Sequence, residues 1–136
     1  MFAFIEFQFN SDTFKGKKLP FYSKGMSVSK ENTKIIKELE NVILEVTKSI
    51  DNYRFHDAAE VLYEFAWHKV ADIYIEELKD KLKEGDEEAL IVLRHVWIVL
   101  LKLLHPFMPF ITEELWSKLP RLYEEQLIVS KWPHHE

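Results

Sequence analysis

Along most of this chain apolar residues recur every three or four positions, the period of a helix with one buried stripe. Ile35, Ile36, Leu39, Val42, Ile43, Val46 and Ile50 make the first stripe, with Ser27 or Ser29 in front as the cap and an end near Asp51. Asp57 followed by Glu60 resembles a capping box, and Leu62, Phe65, Ala66, Val70, Ile73 and Leu78 carry a second helix on from there. Lys81 and Lys83 followed by Gly85 predict its end, since cations suit the last turn and glycine the position after it. Asp86, Glu87 and Glu88 put negative charge where a third helix begins, and its body runs through Leu90, Leu93, Trp97, Leu100, Leu101 and Leu104 until Pro106 stops it. Pro109 and Thr112 restart the chain as a short fourth helix carrying Leu115, Trp116 and Leu119 up to Pro120. Four helices with short connections predict an all-α fold, a mainly antiparallel helical bundle.

The first 27 residues depart from this period. Phe2, Phe4, Ile5, Phe7 and Phe9 form an aromatic stretch whose second half alternates with Glu6, Gln8 and Asn10, as in a short strand or the tail of another element. Gly16, Pro20 and Gly25 among lysines and serines make 15–27 an extended connector. The chain therefore divides into an extended segment (1–27), a helical domain (28–133) and a tail (134–136).

Composition narrows the class further. At 136 residues with 47% apolar content the chain can bury one core, and its 3 glycines favour helices over a sandwich. With 0 cysteines it has neither a disulfide framework nor a thiolate site, which suits a cytoplasmic protein. Charge interrupts every apolar run before the roughly 18 residues a membrane span needs, and residues 1–10 lack the basic start of a secretory signal. The net charge of −5 argues mildly against a nucleic-acid partner, but its distribution does not. Residues 1–37 hold seven lysines against three acidic groups, a balance of +4 that leaves −9 for the remainder. An acidic body thus carries a basic entry segment.

Catalytic chemistry finds no seat in this pattern. A di-iron bundle needs a Glu three residues before a His, and none of the 6 histidines has a carboxylate there. His56 with Glu60 and His68 with Asp72 read as surface pairs one turn apart rather than halves of a zinc site. Glu76, Glu77, Asp80, Glu84 and Glu87 read as a solvated acidic face, and His134 and His135 belong to the tail. No Gly-rich phosphate loop follows a strand, and no serine sits in a nucleophile elbow.

Two stretches resemble class I aminoacyl-tRNA synthetases of the valine, isoleucine and leucine group, the valyl branch above all. They are NYRFHDAAEVLYEFAWHKVADIYIEELK (52–79) and LLHPFMPFITEELWSKLP (103–120). The closing SKWP (130–133) is similar to the usual end of the anticodon-binding domain in those enzymes, and KGKKLPFYSKG (15–25) to the linker that feeds it. The resemblance covers about residues 28–133. It implies a helical bundle that binds the anticodon stem-loop of a valine tRNA and works beside the catalytic domain of a parent enzyme. That enzyme uses ATP; this chain lacks the family's His-Ile-Gly-His and Lys-Met-Ser-Lys-Ser type signatures. It is therefore expected to hold no cofactor or metal and to be no enzyme on its own.

Single-stranded RNA bases are recognised by stacking and edge hydrogen bonds while Lys and Arg hold the backbone. By that logic the candidate tRNA-binding residues are Lys30, Lys34, Lys37 and Asn41 on the polar face of the first helix, then Arg54 and His56 after it. Many valyl enzymes carry arginines in the first helix, where alignment through NYRF places Thr33 and Glu38 here, so the candidates follow face and charge. Tyr53 and Phe55 are read as core or staple residues, and Trp67, Trp97 and Trp116 as core. His105 and the two prolines that follow it, Pro106 and Pro109, are read as setting a turn. The rival readings are an isoleucyl or leucyl domain, a free-standing helical interaction module, and a small metal-dependent bundle enzyme.

Overall fold

A computed structural model of the chain describes residues 22, 26, 28–118 and 126–133. The aromatic stretch at 2–9, most of the 15–27 connector, the end of the fourth helix at Leu119 and Pro120, and the histidine tail lie outside the described residues. Within them the architecture is the expected helical bundle, without strands.

Helix α1 (Lys30–Asp51) is capped by Ser29, whose Oγ accepts from the Asn32 backbone N–H at 3.3 Å. It buries Ile35, Ile36, Leu39, Val42, Ile43 and Val46, the stripe its period marks. A three-residue turn then reverses the chain into a long helical rod. The rod consists of α2 (Phe55–Tyr63), a π-helical stretch (Glu64–Tyr74) and α3 (Ile75–Lys83), with Glu64 and Ile75 in right-handed helical conformation at the junctions. It starts two residues before the Asp57 box: Arg54 is the N-cap and has no side-chain cap bond. Asp57 sits instead inside the first turn, where the helix dipole favours its charge.

The π-helical winding also moves one residue expected in the core. Ile73 is 52% exposed while Tyr74 is buried, because the wider winding turns the second of the two inward. Tyr74 suits that place: its hydroxyl donates to Asn32 Oδ1 at 3.1 Å.

Helix α4 (Glu87–Leu104) is the centre of the bundle. Asp86 caps it, accepting from the Ala89 N–H through Oδ1 at 3.3 Å. Besides the predicted Leu90, Leu93, Trp97, Leu100, Leu101 and Leu104, it buries Val92, Val96, Ile98, Val99 and Leu103, so it is apolar nearly all round, as a helix enclosed by neighbours must be. It packs against α1, α3 and α5. Each fully buried leucine stabilises by roughly 1.5–3 kcal/mol, so α4 anchors the fold more than any other element.

Helix α5 (Pro109–Ser117) begins with proline in its first turn. His105 stands in the turn before it: Nδ1 lies 2.9 Å from Thr112 Oγ1, whose hydroxyl donates to the Met108 carbonyl at 2.8 Å. Trp97 and Trp116 are buried and Trp67 packs against the core, as expected. A 3-10 turn (Leu127–Val129) docks on α5 through Glu113, whose carboxylate accepts from the Leu127 and Ile128 N–H groups at 2.9 and 3.2 Å. Trp132 then donates from Nε1 to Thr47 Oγ1 at 2.8 Å, tying the end of the described chain to α1.

One polar knot joins α1, the rod and α4. Glu88 accepts from the Ser29 N–H at 2.9 Å and from Asn32 Nδ2 at 3.2 Å, and Asn32 in turn accepts from Tyr74. Asn32 is wholly buried, so each of these bonds replaces water it cannot reach. Burial first, and then the nearby charges of Glu88, Glu77 and Asp86, push the Tyr74 phenol far above its ordinary pKa.

Candidate nucleic-acid interface

Lys30, Lys34, Lys37 and Asn41 follow one another at steps of four, three and four, so they share one ridge of α1. All four are exposed, and the ridge lies on the side of α1 opposite its buried stripe. Lys48, seven residues beyond Asn41, continues the line past Leu44, which is 52% exposed. Sequence reasoning missed Lys48, although its spacing from Lys30 is a whole number of turns. From Lys30 to Lys48 the ridge extends about 27 Å.

Several cations outside this ridge are committed to carboxylates. Lys79 pairs with Glu76 at 2.7 Å, Lys81 with Glu31 at 3.7 Å and Lys118 with Glu114 at 3.9 Å. Among the described residues, none of Lys30, Lys34, Lys37, Lys48 and Arg54 has a carboxylate within ion-pair distance. Lysines without such a partner are the ones able to take up phosphate oxygens without first breaking a pair.

Grooves beside the ridge have the opposite character. A groove of about 410 Å³ between α1 and the rod has Val42, Val61 and Phe65 as its floor and Glu38, Glu45, Glu60 and Glu64 around it, with Asn41 and Lys69 at the margin. Lys34 borders a smaller one of about 160 Å³, together with Glu31, Glu38 and Glu77. Carboxylates in these numbers repel a phosphate backbone. Thr33 and Glu38 take no part in the ridge. Thr33 donates its hydroxyl to the Ser29 carbonyl at 2.8 Å, and Glu38 lines both grooves.

Arg54 and His56 sit at the far end of α1, in the turn and the first turn of α2, and both are exposed. His56 Nε2 lies 3.1 Å from Glu60 Oε1, the surface pair its spacing predicts. His68 is likewise placed between Asp72 at 3.6 Å and Glu64 at 3.9 Å. The six candidates thus fall into two groups, four along α1 and two at its end, with Lys48 between them.

The turn overturns one expectation. Tyr53 and Phe55 are neither core nor staple: Tyr53 is 83% and Phe55 54% exposed, with ring centroids 6.4 Å apart and planes crossed at 74°. Tyr53 is in the left-handed region at φ 60, which aims its side chain away from the bundle. NYRF joins the two helical patterns without a glycine, and the left-handed place falls to a tyrosine.

Among the described residues no group of three or more His, Asp or Glu side chains is arranged to hold a metal ion, and no helix is long and apolar enough to cross a membrane. The acidic face expected at Glu76, Glu77, Asp80, Glu84 and Glu87 is exposed throughout.

Comparison with known proteins gives this geometry a context. The family model described as the anticodon-binding domain of tRNA ligase matches residues 32–136. Valine–tRNA ligase of Thermotoga maritima is 45% identical over 103 residues, covering 75% of this chain and 12% of the relative. The corresponding ligase of Fervidobacterium nodosum is 42% identical over 103 residues, with the same coverage of both chains. That of Mycobacterium leprae is 44% identical over 99 residues, 73% of this chain and 11% of its own length. The chain therefore spans about an eighth of the length of the curated relatives it matches.

Proposed function

Because the chain belongs to the anticodon-binding-domain family of tRNA ligases, we propose that it is the module with which a valine–tRNA ligase grips the anticodon stem-loop of valine tRNA. The observation that carries this reading is the ridge of uncommitted cations on α1, ending in an exposed turn of aromatic and cationic residues. Lys30, Lys34, Lys37 and Lys48 hold backbone phosphates, Asn41 offers an amide, and Arg54 and His56 meet the loop. The module supplies recognition, while ATP-dependent aminoacylation takes place in the catalytic domain of the parent enzyme, in the cytoplasm. Neither metal nor cofactor enters its part of the work.

The test is binding of the purified chain to a valine tRNA transcript, at low and at moderate salt, beside the same transcript with its anticodon exchanged. The reading expects tighter binding to the native anticodon and an affinity that falls steeply with salt. Equal binding to both transcripts would reduce the role to stem contacts, and no binding at low salt would sink it.

A second reading rests on Phe110, 90% exposed, with Ile111 and Ile128 also largely exposed at the α5 end. Apolar surface of that kind suits protein contact, with another domain of the parent enzyme or with a separate chain. Salt-insensitive association with protein and none with tRNA would favour it.

A further inference from the structure

The turn after α1 contains a residue that backbone conformation does not favour. Tyr53 takes the left-handed position at φ 60, with its own N–H donating to the Ile50 carbonyl at 3.0 Å and the Arg54 N–H to that of Ser49 at 2.7 Å. Glycine adopts this conformation without strain, and the same chain uses Gly85, at φ 82, in the equivalent place after α3. The tyrosine gains nothing from the core in return, since its side chain is exposed. Strain held at an exposed aromatic, against local preference, is the mark of a side chain positioned for a partner.

What surrounds the ring states which partner. Phe55 stands edge-on to it, the ring centroids 6.4 Å apart. Arg54, between the two in sequence, is exposed and has no carboxylate at ion-pair distance among the described residues, and Lys48 precedes it by less than two turns. An exposed flat ring next in sequence to a cation that has no carboxylate partner among the described residues matches an unpaired nucleobase and its phosphate; an apolar protein surface would leave that cation facing no anion.

The geometry points to Tyr53, beside Phe55, as a stacking platform for one unpaired base of the RNA loop, with Arg54 on the adjoining phosphate. This rests on the RNA-binding reading above and adds the base-contacting residue to it. The left-handed backbone is what turns the ring outward; in a regular helical continuation the same side chain would follow the helix surface.

A fluorescence titration tests this: the full chain is added to an RNA hairpin carrying 2-aminopurine in its unpaired loop. Wild type, Tyr53→Phe, Tyr53→Gly and Lys34→Ala are compared, with a urea melt of each. The platform expects quenching by wild type and by Tyr53→Phe. It expects Tyr53→Gly to bind about tenfold more weakly without quenching, while its urea midpoint stays level or rises. If Tyr53→Gly binds and quenches like wild type while Lys34→Ala is weakened, RNA binding stands and the platform falls. A lowered urea midpoint for Tyr53→Gly would make the tyrosine structural and overturn the platform equally. Absence of binding by every protein, wild type included, removes the RNA reading and the platform with it.

Discussion

The helix ends at Tyr53 and at Gly85 are built from the same two backbone hydrogen bonds. After α1 they run from Tyr53 to Ile50 and from Arg54 to Ser49; after α3 they run from Gly85 to Leu82 and from Asp86 to Lys81, at 3.1 and 3.0 Å. Both are Schellman turns, and both reverse the chain into an antiparallel neighbour. One uses glycine and is followed by groups turned inward: Asp86 caps α4, and Glu88 reaches the buried Asn32. The other uses tyrosine and is followed by groups turned outward: Phe55 and His56 are exposed, as is Arg54 before them. A left-handed non-glycine residue costs about 1–2 kcal/mol, so the difference teaches that the glycine turn serves the fold, while the tyrosine turn accepts a cost that the fold does not repay.

The largest effect should come from breaking what the glycine turn delivers. Glu88→Ala leaves the Ser29 N–H and the buried Asn32 amide without their acceptor, and should destabilise by about 2–3 kcal/mol, read as a lower urea midpoint. Next, Gly85→Tyr makes the two turns alike in sequence and should cost about 1–2 kcal/mol in the same assay, with RNA affinity unchanged. A Gly85→Tyr protein as stable as wild type would erase the contrast between the two turns.

Tyr74→Phe removes one buried hydrogen bond and should cost about 1 kcal/mol at neutral pH. It also carries a pH signature. Because the folded phenol titrates above its ordinary value of 10.0, its stabilising effect is complete below that pH and is lost as pH rises, when the unfolded chain ionises and the folded one resists. Wild type should thus lose stability in alkaline urea melts beyond pH 10 more steeply than Tyr74→Phe. Smallest in stability is Lys34→Ala, within about 0.5 kcal/mol for an exposed site. Its effect appears in binding instead, as a salt dependence shallower by about one phosphate contact. An unchanged slope would remove Lys34 from the interface.

Much of this was legible in residue order. The buried stripe of α1, the Ser29 cap, the cations and Gly85 at the end of α3, and Pro109 at the start of α5 are each settled within a few neighbouring residues, and each is where its pattern placed it. The cationic ridge was legible for the same reason, though Lys48 needed the stripe to be extended one more pair of turns. Ile73 and Tyr74 were not: at the edge of a stripe two neighbours compete, and the π-helical winding turned inward the one that meets Asn32, 42 positions away from Tyr74. Glu88 looked like one more negative charge in a first turn until Ser29 and Asn32 were brought beside it.

By itself, then, the order of residues determined the helices, their caps, the all-α class and the line of lysines on α1, because helical period and capping act over one or two turns. Tertiary structure alone decided that Glu88 faces inward, that Tyr74 displaces Ile73, and that Tyr53 and Phe55 stand in solvent. Those outcomes depend on which groups meet across the bundle. An aromatic residue near a turn is equally suited to burial or display until the direction of the chain on either side of it is set.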